Sequence, residues 1–351
     1  MKKKKAVLRI VGNFLLFILL IVLTFWIIFK DQNITELIKI VKSAKSLYVI
    51  LGIILMFLFH LTEAYNLQSI LKWFDEKISL LKALKFTLIG FFFSSITPAA
   101  SGGQPVEIYY MTKEKISGAK STISLLVQLC GYQISTISFG IICAILNPAI
   151  LKGGLIWLFL LGLTINGFAL SIMLICVFSK KITQKIITFA IGILKFFRVK
   201  NIEDKKQRLE AGVEKYNNSS FYIKTHKKEF IKAILRVFLQ IAFYYSVPFC
   251  VYKAFGLNSY NLYQIFTMQA VLYTTVSSLP LPGAIGISEA VFLAIFEPAF
   301  GSGLLNGAML LSRGITFYLY VIVSLIVVIF NALKMKNIKV EFDEEFNKNE
   351  K

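Results

Sequence analysis

The sequence predicts an all-α polytopic membrane protein: about six spanning helices and two re-entrant helical hairpins, arranged as an inverted repeat would be. Three observations predict it. Of the 351 residues 56% are hydrophobic and only 17% charged, against roughly 25% charged in soluble domains. The apolar residues fall into eight long uncharged runs, and a helix needs about 20 such residues to cross a bilayer. Two of those runs are interrupted by dense Pro/Gly clusters, which a straight helix tolerates poorly.

The elements follow in chain order. Met1 and four lysines precede the uncharged stretch Ile10 to Phe29. This start resembles a signal peptide, but the stretch ends in Phe29-Lys30-Asp31 with no small-residue cleavage site, so it is expected to remain as the first span. A second span is expected at about 46–66. The basic residues Lys72, Lys77, Lys82 and Lys85 precede the first Pro/Gly cluster, and Lys113, Lys115 and Lys120 follow it. Because basic flanks mark the cytoplasmic side, the stretch 83–112 reads as a hairpin that enters and leaves by the same face. Spans at about 121–147 and 153–178 go out and back. The segment 180–228 then carries 13 Lys or Arg against 4 Asp or Glu, and Ile182, Ile186, Phe189, Ile193 and Phe196 recur at helical spacing, as in an amphipathic helix on the inner membrane surface. A span at about 230–255, a second hairpin at about 262–300 entered from outside, and a last span at about 303–330 complete the path. The segment 30–45, with four Lys against two acids, is the one basic stretch placed outside. The result is one transmembrane domain over 1–340 and a short tail, 341–351, with both termini cytoplasmic in the plasma membrane.

The net charge of +20 suggests nucleic acid in a soluble protein. Beside this apolar content it fits cytoplasmic loops against anionic lipid, and no nucleic-acid partner is expected. Cys130, Cys143, Cys176 and Cys250 lie in apolar runs without CxxC spacing and read as small core residues. His60 and Glu63 share a helix face near the inner end of the second span; no second such pair exists, so a polar pair is expected rather than a metal site. No GxSxG and no phosphate-binding loop occurs, and neither a cofactor nor nucleophilic catalysis is expected.

The clusters themselves read Thr97-Pro98-Ala99-Ala100-Ser101-Gly102-Gly103-Gln104-Pro105-Val106-Glu107 and Leu279-Pro280-Leu281-Pro282-Gly283-Ala284-Ile285-Gly286-Ile287-Ser288-Glu289. A helix broken at membrane depth exposes amides that only protein or a watery cavity can receive. Each cluster leads into a helix whose N-terminus carries about half a positive charge, so two facing ends suit a phosphate-bearing headgroup; plain kinks packing helix on helix are the alternative. Glu107, Glu289, Glu297 and Arg313 fall within apolar runs, where each costs roughly 2.5–3.5 kcal/mol at a helix centre and tends to face a cavity. Arg313 can pair with Glu289, grip a lipid phosphate through its planar fork, or snorkel to the outer interface from its early place in the last span.

These two motifs and Arg313 together resemble the lysylphosphatidylglycerol synthase transmembrane family, the flippase-like membrane region of the multiple peptide resistance factor. The resemblance spans nearly the whole chain. It implies two re-entrant segments facing each other and movement of an anionic or aminoacylated phospholipid between leaflets, with Pro98, Gly102, Gly103, Glu107, Pro282, Gly283, Gly286, Glu289 and Arg313 lining the path. It also brings the alternative of phosphatidylglycerol lysyltransferase activity; a membrane subunit for a separate synthase, or a homodimer, is a further alternative that the sequence leaves open. The sequence departs from the family in two respects. No loop exceeds about 50 residues, too few for an independent transferase core, so the chain is not expected to be an enzyme by itself. The helix over 121–151 offers only Gln128 and Gln133 where members often carry a charged residue.

Overall fold

A computed structural model describes residues 34–97, 100–178, 226–277, 279 and 281–333. The expected first span at 10–29, residues 180–225 of the basic segment and the tail at 341–351 lie outside the described residues. Among those described, every regular element is helical: α1 (Ile34–Ser43), α2 (Ser46–Lys72), α3 (Leu80–Ser95), α4 (Gly103–Lys113), α5 (Gly118–Leu146), α6 (Leu155–Phe178), α7 (Lys227–Ala254), α8 (Leu262–Val276) and α9 (Ile287–Arg313), which passes through a π-helical turn at Gly314–Tyr318 and continues to residue 333. Five described segments are long and apolar enough to cross a membrane: Ser46–Lys72, Gly118–Leu146, Leu155–Ile175, Lys227–Ala254 and Pro282–Leu333. Large apolar side chains such as Trp157, Phe168 and Phe330 point outward from them, as lipid-facing residues do. The protein is a polytopic helical membrane protein.

The antiparallel pair α2 and α7 forms the centre. At one end the Lys45 amide donates to the Ala254 carbonyl at 2.9 Å; at the other, Ile70 and Phe74 share an apolar cluster with Ala233 and Phe230. Along the way Arg236 donates to the Asn66 side chain at 3.2 Å and lies over the Tyr65 ring. This pair orients the two hairpins. Hairpin 1, made of α3 and α4, has its open end beside the C-terminal end of α2. There Lys82 and Lys85 both pair with Glu114, and Lys120 bonds Glu76 at 2.9 Å and the Phe74 carbonyl at 2.6 Å. Hairpin 2, made of α8 and the first part of α9, has its open end at the opposite pole, where the Tyr252 ring of α7 meets both Tyr260 and Phe300. The two hairpins therefore enter the bundle from opposite ends.

Their arms are short. At a rise of about 1.5 Å per residue, α3, α4 and α8 extend about 24, 17 and 22 Å, less than the roughly 30 Å hydrocarbon thickness. The breaks fall at both Pro/Gly clusters. Hairpin 2 ends at Gly301, whose backbone (φ 66°, ψ 159°) leaves the helical region shortly after Pro298; the chain beyond it makes the last crossing. Glu297, expected to face the protein interior, is exposed just before this kink. His60, expected near one end of its span, sits instead at the middle of α2 and is fully buried.

A helix that stops inside the bundle leaves carbonyls without partners. At the end of α8 they are met from α6: Asn166 donates to the Thr274 carbonyl and to the Ser277 hydroxyl, both at 3.2 Å. Such contact needs close approach. A Cβ on Gly162 would collide with the Thr274 and Thr275 carbonyls, and one on Gly140 of α5 with the Thr274 side chain, whereas Gly167 faces open space. Gly162→Ala is therefore expected to cost about 1–3 kcal/mol through overpacking and to lower the thermal unfolding midpoint of the purified protein. Gly167→Ala, five residues along the same helix, should leave that midpoint unchanged or raise it.

Candidate functional site

The tip of hairpin 2 is built around one ion pair. The Arg313 Nε donates to Glu289 Oε1 at 2.8 Å, and the Arg313 and Glu289 side chains are 12% and 2% exposed. The other carboxylate oxygen of Glu289 accepts from the Gly286 amide at 2.7 Å and the Ser288 hydroxyl at 2.8 Å. Glu289 is the third residue of α9, so it reaches back to its own helix start as the acidic half of a capping box does. The guanidinium also donates through Nη2 to the Gly283 carbonyl at 3.1 Å, and its carbon sits 4.4 Å from the Phe317 ring centroid, a cation–π distance. Arg313 thus ties the loop to the last crossing, and it lies immediately before the π-helical turn, a deformation frequent at functional sites.

The glycines of this loop are set by backbone shape. Gly283 has φ 58° and Gly286 φ 89°, values that L side chains adopt at a cost. A Cβ on Gly283 would also enter the Phe317 ring. Pro282 is buried beneath the same turn.

Hairpin 1 is closed by hydroxyls. The Thr97 hydroxyl donates to the Phe93 carbonyl at 2.6 Å, near the end of α3, and accepts from the Gly102 amide at 2.9 Å, at the start of α4. Its two arms cross at glycines: a Cβ on Gly103 would strike the Ser94 hydroxyl and the Gly90 carbonyl. One turn further on, the Glu107 carboxylate occupies the space over Gly90 that a side chain there would fill. Glu107 is 6% exposed, and its Oε1 has no hydrogen-bond partner among the described residues.

The tips meet. Phe92 and Ile96 of hairpin 1 form one apolar cluster with Ile285 of the second loop and Phe317 and Val321 of the last crossing. Of the nine residues expected along a path, Pro98 lies outside the described residues. Pro282, Gly283, Gly286, Glu289 and Arg313 come together in the second tip. Gly102, Gly103 and Glu107 line the first. Two regions of different charge result, with Tyr273 of α8 in the field of both Glu63 and Arg313. At each helix start one amide is already taken, that of Gly286 by Glu289 and that of Gly102 by Thr97.

Four residues outside the expected set shape the site. Thr97 stood in the quoted motif, where a threonine before a proline gave no sign of its two bonds. Asn166 was visible as the lone amide of an otherwise apolar span. Gln128 donates to Glu63 at 3.3 Å, which makes the uncharged helix after hairpin 1 a contributor. Gly90 had no distinguishing signal.

Replacing Gly283 by alanine is expected to destabilise the protein by about 1–3 kcal/mol, from positive φ and a blocked ring together. Gly303→Ala, where nothing lies within 4 Å, provides the neutral comparison, and unfolding midpoints measured in one detergent decide the matter.

Comparison with known proteins places the chain among membrane proteins. Residues 11–324 match the family model described as the lysylphosphatidylglycerol synthase TM region. A UPF0104 membrane protein of Archaeoglobus fulgidus is 24% identical over 338 residues, covering 89% of this chain and 95% of its own. A second UPF0104 membrane protein, from Pyrococcus horikoshii, is 23% identical over 339 residues, covering 93% and 97%. With its family match running from before α1 into the last crossing, the chain belongs to the lysylphosphatidylglycerol synthase TM region family.

Proposed function

We propose that this protein is a lipid translocase of the plasma membrane, moving an anionic or aminoacylated phospholipid such as lysyl-phosphatidylglycerol between leaflets, with both termini in the cytoplasm. The observation that carries this reading is Arg313: a cation set far inside an apolar bundle, at the point where two hairpins inserted from opposite ends meet. A charge at that depth is costly and is kept where it has a task. A guanidinium has five N–H donors. Arg313 spends donors on Glu289 and Gly283 and bonds Tyr318 as well, which leaves others for a headgroup phosphate. Hairpins entering from opposite sides around one central site are the plan on which secondary transporters alternate access. The headgroup enters from the cytoplasmic leaflet, passes Arg313 between the tips with its acyl chains in lipid, and leaves on the far side.

The orientation rests on charge. Among the described residues, the pole holding the open end of hairpin 1 gathers Lys72, Lys77, Lys82, Lys85, Lys113, Lys115, Lys120, Lys227 and Lys228, whereas the opposite pole has Lys39, Lys42, Lys45, Lys152 and Lys253. The more basic pole faces the cytoplasm by the positive-inside rule.

The test is transfer of labelled phosphatidylglycerol and lysyl-phosphatidylglycerol across proteoliposome membranes. Wild type should move at least one of them well above protein-free vesicles. Arg313→Lys keeps the charge but lacks the planar fork and should slow transfer by about tenfold or more, the order of one lost charge-assisted bond. Movement no faster than in empty vesicles, or a wild-type rate in the Lys variant, overturns the proposal. Arg313→Ala alone strands Glu289 and is expected to cost about 3–5 kcal/mol of stability, and Arg313→Ala with Glu289→Gln should regain part of it.

A further inference from the structure

A second polar centre lies where α2, α4 and α5 meet, apart from the Glu289–Arg313 pair. His60 is fully buried, and neither ring nitrogen has a hydrogen-bond partner among the described residues. Its ring is boxed by Phe59, Phe91 and Tyr320, at centroid distances of 5.0, 5.1 and 4.4 Å. Its Nδ1 stands 3.6 Å from Glu63 Oε2, close enough to attract but too far for a hydrogen bond. Glu63 Oε1 accepts from Gln128, whose own Oε1 is buried and unpartnered. Glu107, with its orphaned Oε1, stands one turn before Met111, which shares an apolar cluster with Ala64, the neighbour of Glu63. Unpartnered atoms on His60, Gln128 and Glu107 are thus gathered around two carboxyl groups.

The charge balance is the decisive fact. The buried Glu107 carboxyl, with an unpartnered oxygen, needs a cation, and the nearby bases among the described residues are engaged elsewhere: Lys82 and Lys85 with Glu114, Arg236 with Asn66 and Tyr65, Arg313 with Glu289. Phenols also face the centre: Tyr273, bonded to Tyr132 at 2.8 Å, and Tyr320, over the imidazole. No grouping of three His, Cys, Asp or Glu side chains suited to a metal ion occurs among the described residues. The cation that fits is a proton, carried by a carboxyl or by the imidazole.

We propose that His60, Glu63 and Glu107 form a proton-binding site that controls how hairpin 1 docks on α2. With a proton on Glu107, α4 sits as observed, its carboxyl over Gly90. When that proton leaves, Glu107 and Glu63 repel across the α2–α4 contact and hairpin 1 is driven from the bundle. Protonation of His60 opposes this by pairing with Glu63. Glu63, 25% exposed, is the route by which the proton reaches water. The proton site stands independently of lipid transport; the further step, that proton movement drives the hairpin during translocation, rests on the translocase reading above.

The test begins without lipid transfer. The full chain in phosphatidylglycerol nanodiscs is titrated upward from acid pH, with the protonated-carboxyl infrared band followed. Wild type should show a buried-carboxyl band that fades as pH rises, and Glu107→Gln, close in volume, should remove it. An infrared titration identical in wild type and Glu107→Gln overturns the proposal. If Glu107→Gln fails to fold, Glu63→Gln decides it: the band's titration should differ from wild type's, and an unchanged titration overturns the proposal. In proteoliposomes a pH gradient should speed wild-type lipid transfer several-fold and leave Glu107→Gln indifferent. The band, titrating in a wild type that moves no lipid, would support the proton site and remove only the translocase reading.

Discussion

The salt bridge between Glu289 and Arg313 joins three parts of the chain that are otherwise separate: the loop at 281–286, the start of α9 and the last crossing. The carboxylate caps its own helix through the Gly286 amide and holds the guanidinium, which in turn fixes the loop through the Gly283 carbonyl. Remove either partner and a full charge is stranded at 2% or 12% exposure, a cost of about 3–5 kcal/mol. The pair also requires its surroundings. Gly283 must be glycine for its backbone to turn under Phe317, and Gly286 must be glycine for its amide to face Glu289. A short stretch of sequence is thereby constrained at several positions by one interaction.

The two hairpins solve the same backbone problem with different chemistry. Each must stop a helix within the bundle and satisfy the groups left over. Hairpin 2 uses an ion pair inside the loop and Asn166 from α6 at the end of α8. Hairpin 1 uses Thr97, which bridges its own two arms, and glycine crossings at Gly90 and Gly103. The first solution ties the hairpin to its neighbours; the second is internal, so hairpin 1 keeps its shape without being fastened at the tip by a polar bond to another element among those described.

Much of this was legible from residue order. Paired prolines and glycines break helices wherever they stand, so both loops could be placed, and Arg313 with Glu289 stood out because charge is scarce in apolar runs. The register of contact was not legible. Glu107 resembles Glu289 in its place after a Pro/Gly loop, yet it meets Gly90 on its own hairpin partner rather than a cation, and a glycine that accommodates a carboxylate looks like any other. His60 and Glu63 showed their shared face through spacing, but spacing cannot report that three aromatic rings from α2, α3 and the last crossing enclose the imidazole. Glu297 illustrates the converse: an acid in an apolar run turned outward beside a kink, because Pro298 and Gly301 end the helix there and free the position from the core.

The division of charge is the last consequence of this packing. Around Arg313 the excess donors belong to a guanidinium whose partner already caps a helix; around Glu107 the unpartnered atoms are carboxylate and amide oxygens and imidazole nitrogens. Tyr273 stands in both fields, and the pair it makes with Tyr132 spans α5 and α8. The two networks keep separate partners: Glu289 and the Gly283 carbonyl hold Arg313, whereas Glu107 lies over Gly90 and Glu63 beside His60 and Gln128. They are brought side by side by the approach of the two tips at Ile96 and Ile285, a contact in which neither residue carries charge.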